Sequence, residues 1–271
     1  MQRTVQAYFD DAAESYHQAY QTEQDPFRAH IFLTRVRLVL ELLRTSQGRV
    51  LDAGCGPGVL VAELAALGWD VWGLDAAPAM LAQARQRVRG TVEAQRIHWL
   101  LGDVEHLGLG EQVFDAVVCA GVMEYLETYE AVLRELRRVL KAGGTLIITV
   151  PNACSPFNLC DRFLMTIARG AAHMAAWVTK GRYRPRQASE RLTFRRDLVD
   201  RHYLPPRLDQ MVQRHGFQKI SGRYQSYFSS LSKYLWPSLA FRLAQKGEAL
   251  SRIPAFAWWG TGYVAQFVKC A

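Results

Sequence analysis

The chain is poor in the features that would tie it to a metal, an oxidising compartment or a membrane. Its five cysteines, Cys55, Cys119, Cys154, Cys160 and Cys270, form no Cys-x-x-Cys pair and are odd in number. That argues against a zinc site and against a disulfide framework, so no metal is expected and a reducing, cytoplasmic setting is. The first sixteen residues carry Asp10, Asp11 and Glu14 and lack a basic end followed by an apolar stretch, so no signal peptide is expected. Long apolar runs are scarce: 163–178 is interrupted by Arg169 and His173, and 249–268 by Arg252 and Pro254. Neither is expected to span a bilayer. No repeat at solenoid or propeller spacing is present, and glycine and proline follow no collagen-like period.

What remains is an ordinary globular composition, 49% hydrophobic and 21% charged over 271 residues. Chains of this length bury about 75% of their unfolded surface and need no covalent staples. The formal charge of +8 is uneven, because residues 180–223 hold 12 Lys or Arg against four acids and account for all of it. Such a segment suits nucleic acid, an anionic membrane surface or an acidic substrate, or is a solvated cover.

Apolar residues recur at helical spacing from 10 to 44 (Phe32, Val36, Val39, Leu40, Leu43), which predicts a helical N-terminal cap over 1–45. Strand-like runs at 49–53, 70–74, 97–101, 116–120 and 145–150 then alternate with helical patterns at 59–67, 77–88 and 129–140. A Gly143-Gly144 turn precedes the fifth strand. The alternation predicts a mostly parallel α/β sheet with helices on both faces and a core unit over 46–150. It breaks after Pro151-Asn152, giving a basic insertion over 151–205. A helix at 204–215 and strands at 218–222 and 262–269 resume it within a C-terminal part of the core, 206–271.

The first strand-to-helix turn reads Val50-Leu51-Asp52-Ala53-Gly54-Cys55-Gly56-Pro57-Gly58, and the second strand ends in Asp75, 21 residues past Gly54. Glycines there admit a ligand close to the backbone, and a carboxylate at that distance can accept both hydroxyls of a ribose. A nucleoside-containing cofactor is therefore expected. The spacing is Gly-x-Gly-x-Gly, and Asp52 stands two residues before the first glycine. A carboxylate at that place would repel a pyrophosphate and suits the ammonium of an amino acid.

Here the chain resembles the class I S-adenosylmethionine-dependent methyltransferases, in particular the quinone-biosynthesis enzymes and related small-molecule O- and C-methyltransferases. The resemblance covers about 8–150 and rests on Leu51 to Gly58, Gly73-Leu74-Asp75, Gly102-Asp103-Val104, Phe114 to Val118, Val122 to Leu126, and Leu140 to Gly144, where Ala142 replaces a usual proline. It implies a Rossmann-like, seven-stranded sheet with a helical cap, and S-adenosyl-L-methionine as cofactor. It also implies that Asp52, Ala53, Gly54, Cys55, Gly56 and Gly58 hold the methionine portion and Asp75 the ribose. Ala76 or Met80 would cover the adenine face, Asp103 with Gly102 and Val104 would meet the adenine amino group, and Cys119 with Ala120 would lie at the sulfonium end. Tyr8-Phe9-Asp10, Ala13 and Tyr16 look like the family's N-terminal lid element, whose tyrosine approaches the cofactor. Arg28 and Arg35 are within reach of a cofactor carboxylate in principle, but surface placement is expected for each.

Methyl transfer to a phenol or alcohol gains from a general base, and Glu124 and His202, then Tyr125 and His17, are the candidates. Residues 224–267 hold 11 of the 30 aromatic residues, which predicts a greasy acceptor pocket built from them and a hydrophobic small-molecule substrate. A helix over 231–250 with Lys233, Arg242 and Lys246 opposite its apolar residues suggests peripheral membrane association. An RNA methyltransferase or nucleic-acid-binding protein using residues 180–223 is the alternative, ranked lower.

Overall fold

The computed structural model describes residues 2–20, 26–44, 47–126, 128–178, 201–228 and 237–270. Eight α-helices, α1 (Gln2–Ala19), α2 (Pro26–Leu43), α3 (Val59–Ala66), α4 (Pro78–Arg87), α5 (Glu130–Val139), α6 (Pro156–Val178), α7 (Pro205–Arg214) and α8 (Pro237–Gly247), surround one sheet. Its strands are β1 (Arg49–Ala53), β2 (Asp70–Asp75), β3 (Ile97–Leu101), β4 (Phe114–Ala120), β5 (Leu140–Pro151), β6 (Phe217–Gln225) and β7 (Gly262–Lys269), in the order β3-β2-β1-β4-β5-β7-β6. β7 runs antiparallel to both of its neighbours, β5 and β6, against the common direction of the other described strands. This is the mostly parallel, Rossmann-like α/β sheet expected from the alternation of strands and helices.

Strands buried on both faces read as continuous apolar runs, and β1, β4 and β5 do so. Their side chains alternate between two cores. Leu51, Val117 and Ile148 face α5 and α7 through Leu133, Leu136, Leu208 and Val212, whereas Val50, Val118 and Ile147 face α2 and α3 through Val36, Val39, Leu60 and Leu64. By the same period of two, Asp52 shares the face of Val50, the face that α2 covers.

The Gly143-Gly144 pair does not end a helix-to-strand turn. It sits inside β5, where the pairing jumps from Phe114↔Leu140 to Ala116↔Thr145. Four residues oppose one across that jump, and Lys141 anchors the excess by donating to Asp115 Oδ1 at 2.6 Å. A bulge absorbs the glycines without ending the ladder.

The N-terminal cap is two helices. α1 docks on α4 because Asp10 Oδ1 accepts the Ala79 N–H at 3.0 Å, occupying an amide in the first turn of that helix. Ala13 is buried at this contact. Residues 179–200, part of the expected basic insertion, lie outside the described residues, as do 231–236 of the expected 231–250 helix. Among the described residues, no helix is long and apolar enough to cross a membrane.

Candidate active site

At the C-terminal edge of the sheet, where the strand order reverses between β1 and β4, lies a cavity of about 1190 Å³. Ligands of open α/β sheets bind at such switch points. Small-molecule sites run to about 1,000 Å³, so this space suits two ligands side by side.

Its cofactor-like end is built by the β1–α3 turn. Gly54 and Cys55 both donate their N–H to Leu74 O, at 2.7 and 2.9 Å, and Gly56 donates to Asp75 Oδ2 at 2.8 Å, so the turn is tied to the end of β2. Gly54 has φ +86°, and a Cβ there would lie 2.2 Å from Val122 Cγ2; any side chain would collide with the loop after β4. The other Asp75 oxygen accepts the Ala77 N–H at 2.9 Å. Burial pushes the Asp75 carboxyl up, and the amides of Ala77, Gly56 and Ala76 oppose that.

Asp52 is 2% exposed and lines the cavity. Burial pushes its carboxyl up to about 7, with Arg35 pulling down and Asp75 pushing up. A buried carboxylate in this state gains from a cation.

Arg35 was expected at the surface and is instead on the cavity wall. α2 lies over the Asp52 face of the sheet, and Arg35 sits beside Val36 on the helix stripe that packs there. Its Nη2 lies 3.4 Å from Tyr20 Oη, and its guanidinium is drawn to Tyr20 and to Glu124, which raises its pKa against the opposing effect of burial. The Arg28 side chain lies outside the described residues.

Of the expected cofactor residues, Tyr16, Asp52, Gly54, Cys55, Gly56, Asp75, Ala76, Met80, Gly102, Asp103, Val104 and Ala120 all line the cavity. Asp103 also closes a turn, with Oδ1 accepting the Glu105 N–H at 2.9 Å. Three of the expected residues are not on the wall. Ala53 and Cys119 are fully buried among the side chains facing α5, because the strand alternation turns them away from Asp52 and Ala120. Gly58 is a packing position: a Cβ there would lie 2.7 Å from Ala84 Cβ and 3.0 Å from Trp99.

The candidate bases separate in the same way. Glu124 and Tyr125, in the turn after β4, line the cavity and are buried; Tyr125 packs edge-on against Phe9 at 5.0 Å. Glu124 and Arg35 converge beside Gly121, where a Cβ would lie 2.6 Å from Arg35 Nη1 and 3.6 Å from Glu124 Oε1. His202 does not line the cavity. Its segment is fastened behind the wall, with Arg201 N–H on Glu124 O at 3.0 Å and Tyr203 Oη on Met123 O at 3.0 Å. His17 stands on α1, and its side chain lies outside the described residues.

The greasy wall comes from the opposite end of the chain to the one expected. Phe9, Tyr16, Tyr20, Phe27, Phe32 and Tyr125 line the cavity, and none of the described aromatics of 224–267 does. Those pack among themselves, Phe256 on Trp259 at 4.9 Å and Tyr224 on Tyr263 at 5.0 Å. Sequence reasoning also passed over Gln225 and Ser226, which line the cavity from the end of β6.

Residues 51–148 match the family model described as a methyltransferase domain. This segment is similar to methyltransferase domains, and the whole sheet shares their fold. The chain is 36% identical over 133 residues to the ubiquinone biosynthesis O-methyltransferase of Xanthomonas oryzae pv. oryzae, covering 48% of this chain and 53% of that protein. It is 32% identical over 133 residues to the enzyme of the same name from Cereibacter sphaeroides, covering 49% and 51%. The chain thus spans about half the length of the curated relatives it matches. Among solved structures, magnesium protoporphyrin IX methyltransferase from Synechocystis with bound S-adenosylhomocysteine superposes with a TM-score of 0.65 at 16% identity, covering 99% of this chain and 100% of that one. A possible histamine N-methyltransferase from Thermotoga maritima gives 0.59 at 18%, covering 97% and 99%. A (4+2)-cyclase gives 0.55 at 19%, covering 88% and 81%. At these identities the likeness is one of fold, and a cyclase among the neighbours shows that the methyltransferase fold hosts other chemistry.

Proposed function

We propose that the chain is an S-adenosylmethionine-dependent methyltransferase acting on a hydrophobic small molecule, with transfer to oxygen favoured. The observation that carries this is that buried Asp52 and Arg35 line the same cavity, near enough for the guanidinium to act on the carboxyl. An anionic and a cationic side chain side by side complement the ammonium and carboxylate of an amino-acid moiety.

The remaining residues follow from their positions. Asp75, fastened by the amides of Gly56 and Ala77, presents its carboxylate to the ribose hydroxyls. Ala76, Met80 and Val104 give flat apolar contact for the adenine, and Asp103 stands beside it. When bound, S-adenosylmethionine supplies a methyl group on a sulfonium already activated for displacement. The protein's task is then alignment of an acceptor oxygen about 3 Å from that carbon, which is worth roughly 7–11 kcal/mol of the barrier. Glu124, on the wall near Ala120, is the group we assign to take the acceptor's proton. Tyr16 and Phe9 on α1 exclude water from above.

O-methylation draws support from the similarity to ubiquinone biosynthesis O-methyltransferases, and a hydrophobic acceptor from the aromatic wall. Peripheral contact with an anionic membrane is supported by α8, where Leu239 and Leu243 are exposed next to exposed Arg242 and Lys246.

Isothermal titration with S-adenosylmethionine and S-adenosylhomocysteine tests the cofactor assignment. Micromolar binding of both is expected, and binding of neither removes the reading. Transfer of labelled methyl to catechol and to an organic extract of bacterial cells tests the acceptor class; label confined to water-soluble products would contradict it.

A further inference from the structure

The wall farthest from the glycine turn carries two side chains that the methyl-transfer chemistry leaves unused. Gln225 is 5% and Ser226 is 3% exposed. Gln225 Oε1 and Ser226 Oγ have no hydrogen-bond partner among the described residues, yet both residues line the cavity. Leaving buried polar groups unpaired is costly, and such groups need an explanation.

The backbone around them is over-determined. Ser226 has φ +61°, left-handed for a residue with a side chain. It is held there by its own N–H donating to Glu248 Oε1 at 3.0 Å, while its carbonyl accepts the Thr261 N–H and Thr261 Oγ1, each at 3.0 Å. Three hydrogen bonds maintain an unfavourable conformation in which the hydroxyl itself does nothing. Strain kept at a cavity wall points to a ligand.

The sheet register fixes how far this wall lies from the chemistry. Ala120 pairs with Thr149, Pro151 with Gly262, and Gly262 with Gln225. Gln225 is therefore three strand steps across the sheet and two residues along it from Ala120, about 16 Å at the usual strand spacings. Phe27, Ile31 and Val39 from α2 line the cavity too and supply apolar surface. Charge selects the kind of end group. Among the described lining residues Arg35 is the sole Lys or Arg, against Asp52, Asp75, Asp103, Glu105 and Glu124, and Glu248 stands directly behind Ser226. An anionic end group would meet repulsion there.

We infer that Gln225 and Ser226 form a polar subsite that reads the far end of the acceptor: an uncharged, elongated molecule carrying a hydroxyl or N–H donor about 16 Å from the atom that is methylated. Neither Gln225 Oε1 nor Ser226 Oγ is exposed to the cavity in the ligand-free protein, so both side chains turn on binding: the Gln225 amide oxygen accepts the donor, and the Ser226 hydroxyl gives or accepts the second hydrogen bond. The inference rests on the proposed methyltransferase reading of the cavity.

The test compares 4-hexylcatechol with 4-(6-hydroxyhexyl)catechol, titrated calorimetrically into protein saturated with S-adenosylhomocysteine. The added hydroxyl should tighten binding about tenfold in the wild-type protein, against the direction that hydrophobicity alone would give. Gln225→Leu and Ser226→Ala should each bring the two compounds to within about twofold, keep the affinity for S-adenosylhomocysteine, and leave the thermal midpoint unchanged or higher, because an unpaired buried oxygen has been removed. A purely structural role would lower the midpoint instead and leave the preference intact. Equal binding of the two compounds by the wild-type protein, binding of neither, or a preference that survives in both variants would overturn the inference while the cofactor assignment stands. Failure of the wild-type protein to bind S-adenosylhomocysteine would overturn the methyltransferase reading and this one with it.

Discussion

The two ends of the cavity are built on opposite plans. Toward β1, β2 and β3 the wall is backbone and carboxylate: a glycine turn hydrogen-bonded to the next strand, and Asp52, Asp75 and Asp103 within a few residues of strand ends. Toward β5, β7 and β6 it is uncharged, with Thr149, Gln225, Ser226 and Thr261 below and aromatic residues from α1 and α2 above. The first plan is rigid and specified by short contiguous segments, as suits a ligand that never changes. The second is assembled from pieces distant in the chain, so it can be altered without disturbing the first.

That contrast can be broken most severely at the point where the two ends meet. Glu124→Gln should slow single-turnover methyl transfer to catechol by about 10²- to 10⁴-fold while S-adenosylhomocysteine binds within about threefold of wild type. An unchanged rate would show that the proton leaves by another route. Asp52→Asn should act on the other side of the divide, weakening S-adenosylhomocysteine about a hundredfold by leaving a ligand ammonium without its buried partner.

The same aspartate gives the comparison a pH signature. Its carboxyl lies at about 7 in the folded, ligand-free protein against an ordinary value of 3.8. A raised carboxyl stabilises the fold fully below its unfolded value, and that stabilisation is lost as pH climbs through the folded value. The melting temperature of the ligand-free protein should therefore fall between about pH 4 and pH 7 and level off above that. Asp52→Asn should flatten the slope, and S-adenosylhomocysteine, by placing a cation beside the carboxylate, should reduce it. Calorimetry in buffers of different ionisation enthalpy should show proton release on binding near pH 6.

At the uncharged end effects should be smaller. Phe9→Ala removes the ring that packs on Tyr125 and Tyr16 and should raise the KM for catechol about fivefold with little change in kcat. Arg242→Gln with Lys246→Gln should reduce co-sedimentation with phosphatidylglycerol vesicles about threefold and leave binding to phosphatidylcholine vesicles as it was; equal loss on both would argue against an electrostatic membrane contact.

How much could be read without coordinates follows the same divide. The glycine turn, Asp75 and Asp103 are legible because each lies at the end of an apolar run, where the strand pattern itself marks the ligand-binding edge. Arg35, Gln225 and Ser226 are not, since what places them on the cavity is the packing of α2 over β1 and the register of β6 on β7, neither of which leaves a local pattern. Aromatic enrichment in 224–267 misdirected the acceptor wall, because composition carries no direction: Phe256, Trp258 and Trp259 cluster on one another. Gly143 and Gly144 misled for a related reason, as a bulge and a turn call for the same residues and only the strand opposite decides between them.

The hydrogen bond from Ala79 to Asp10 ties the roof of the site to its floor. One helix brings Phe9 and Tyr16 over the opening, and the helix it caps carries Met80 beneath the cofactor's expected place. On the proposed reading, a door hinged to the shelf it guards would swing only by breaking this contact or by carrying the helix of Met80 with it.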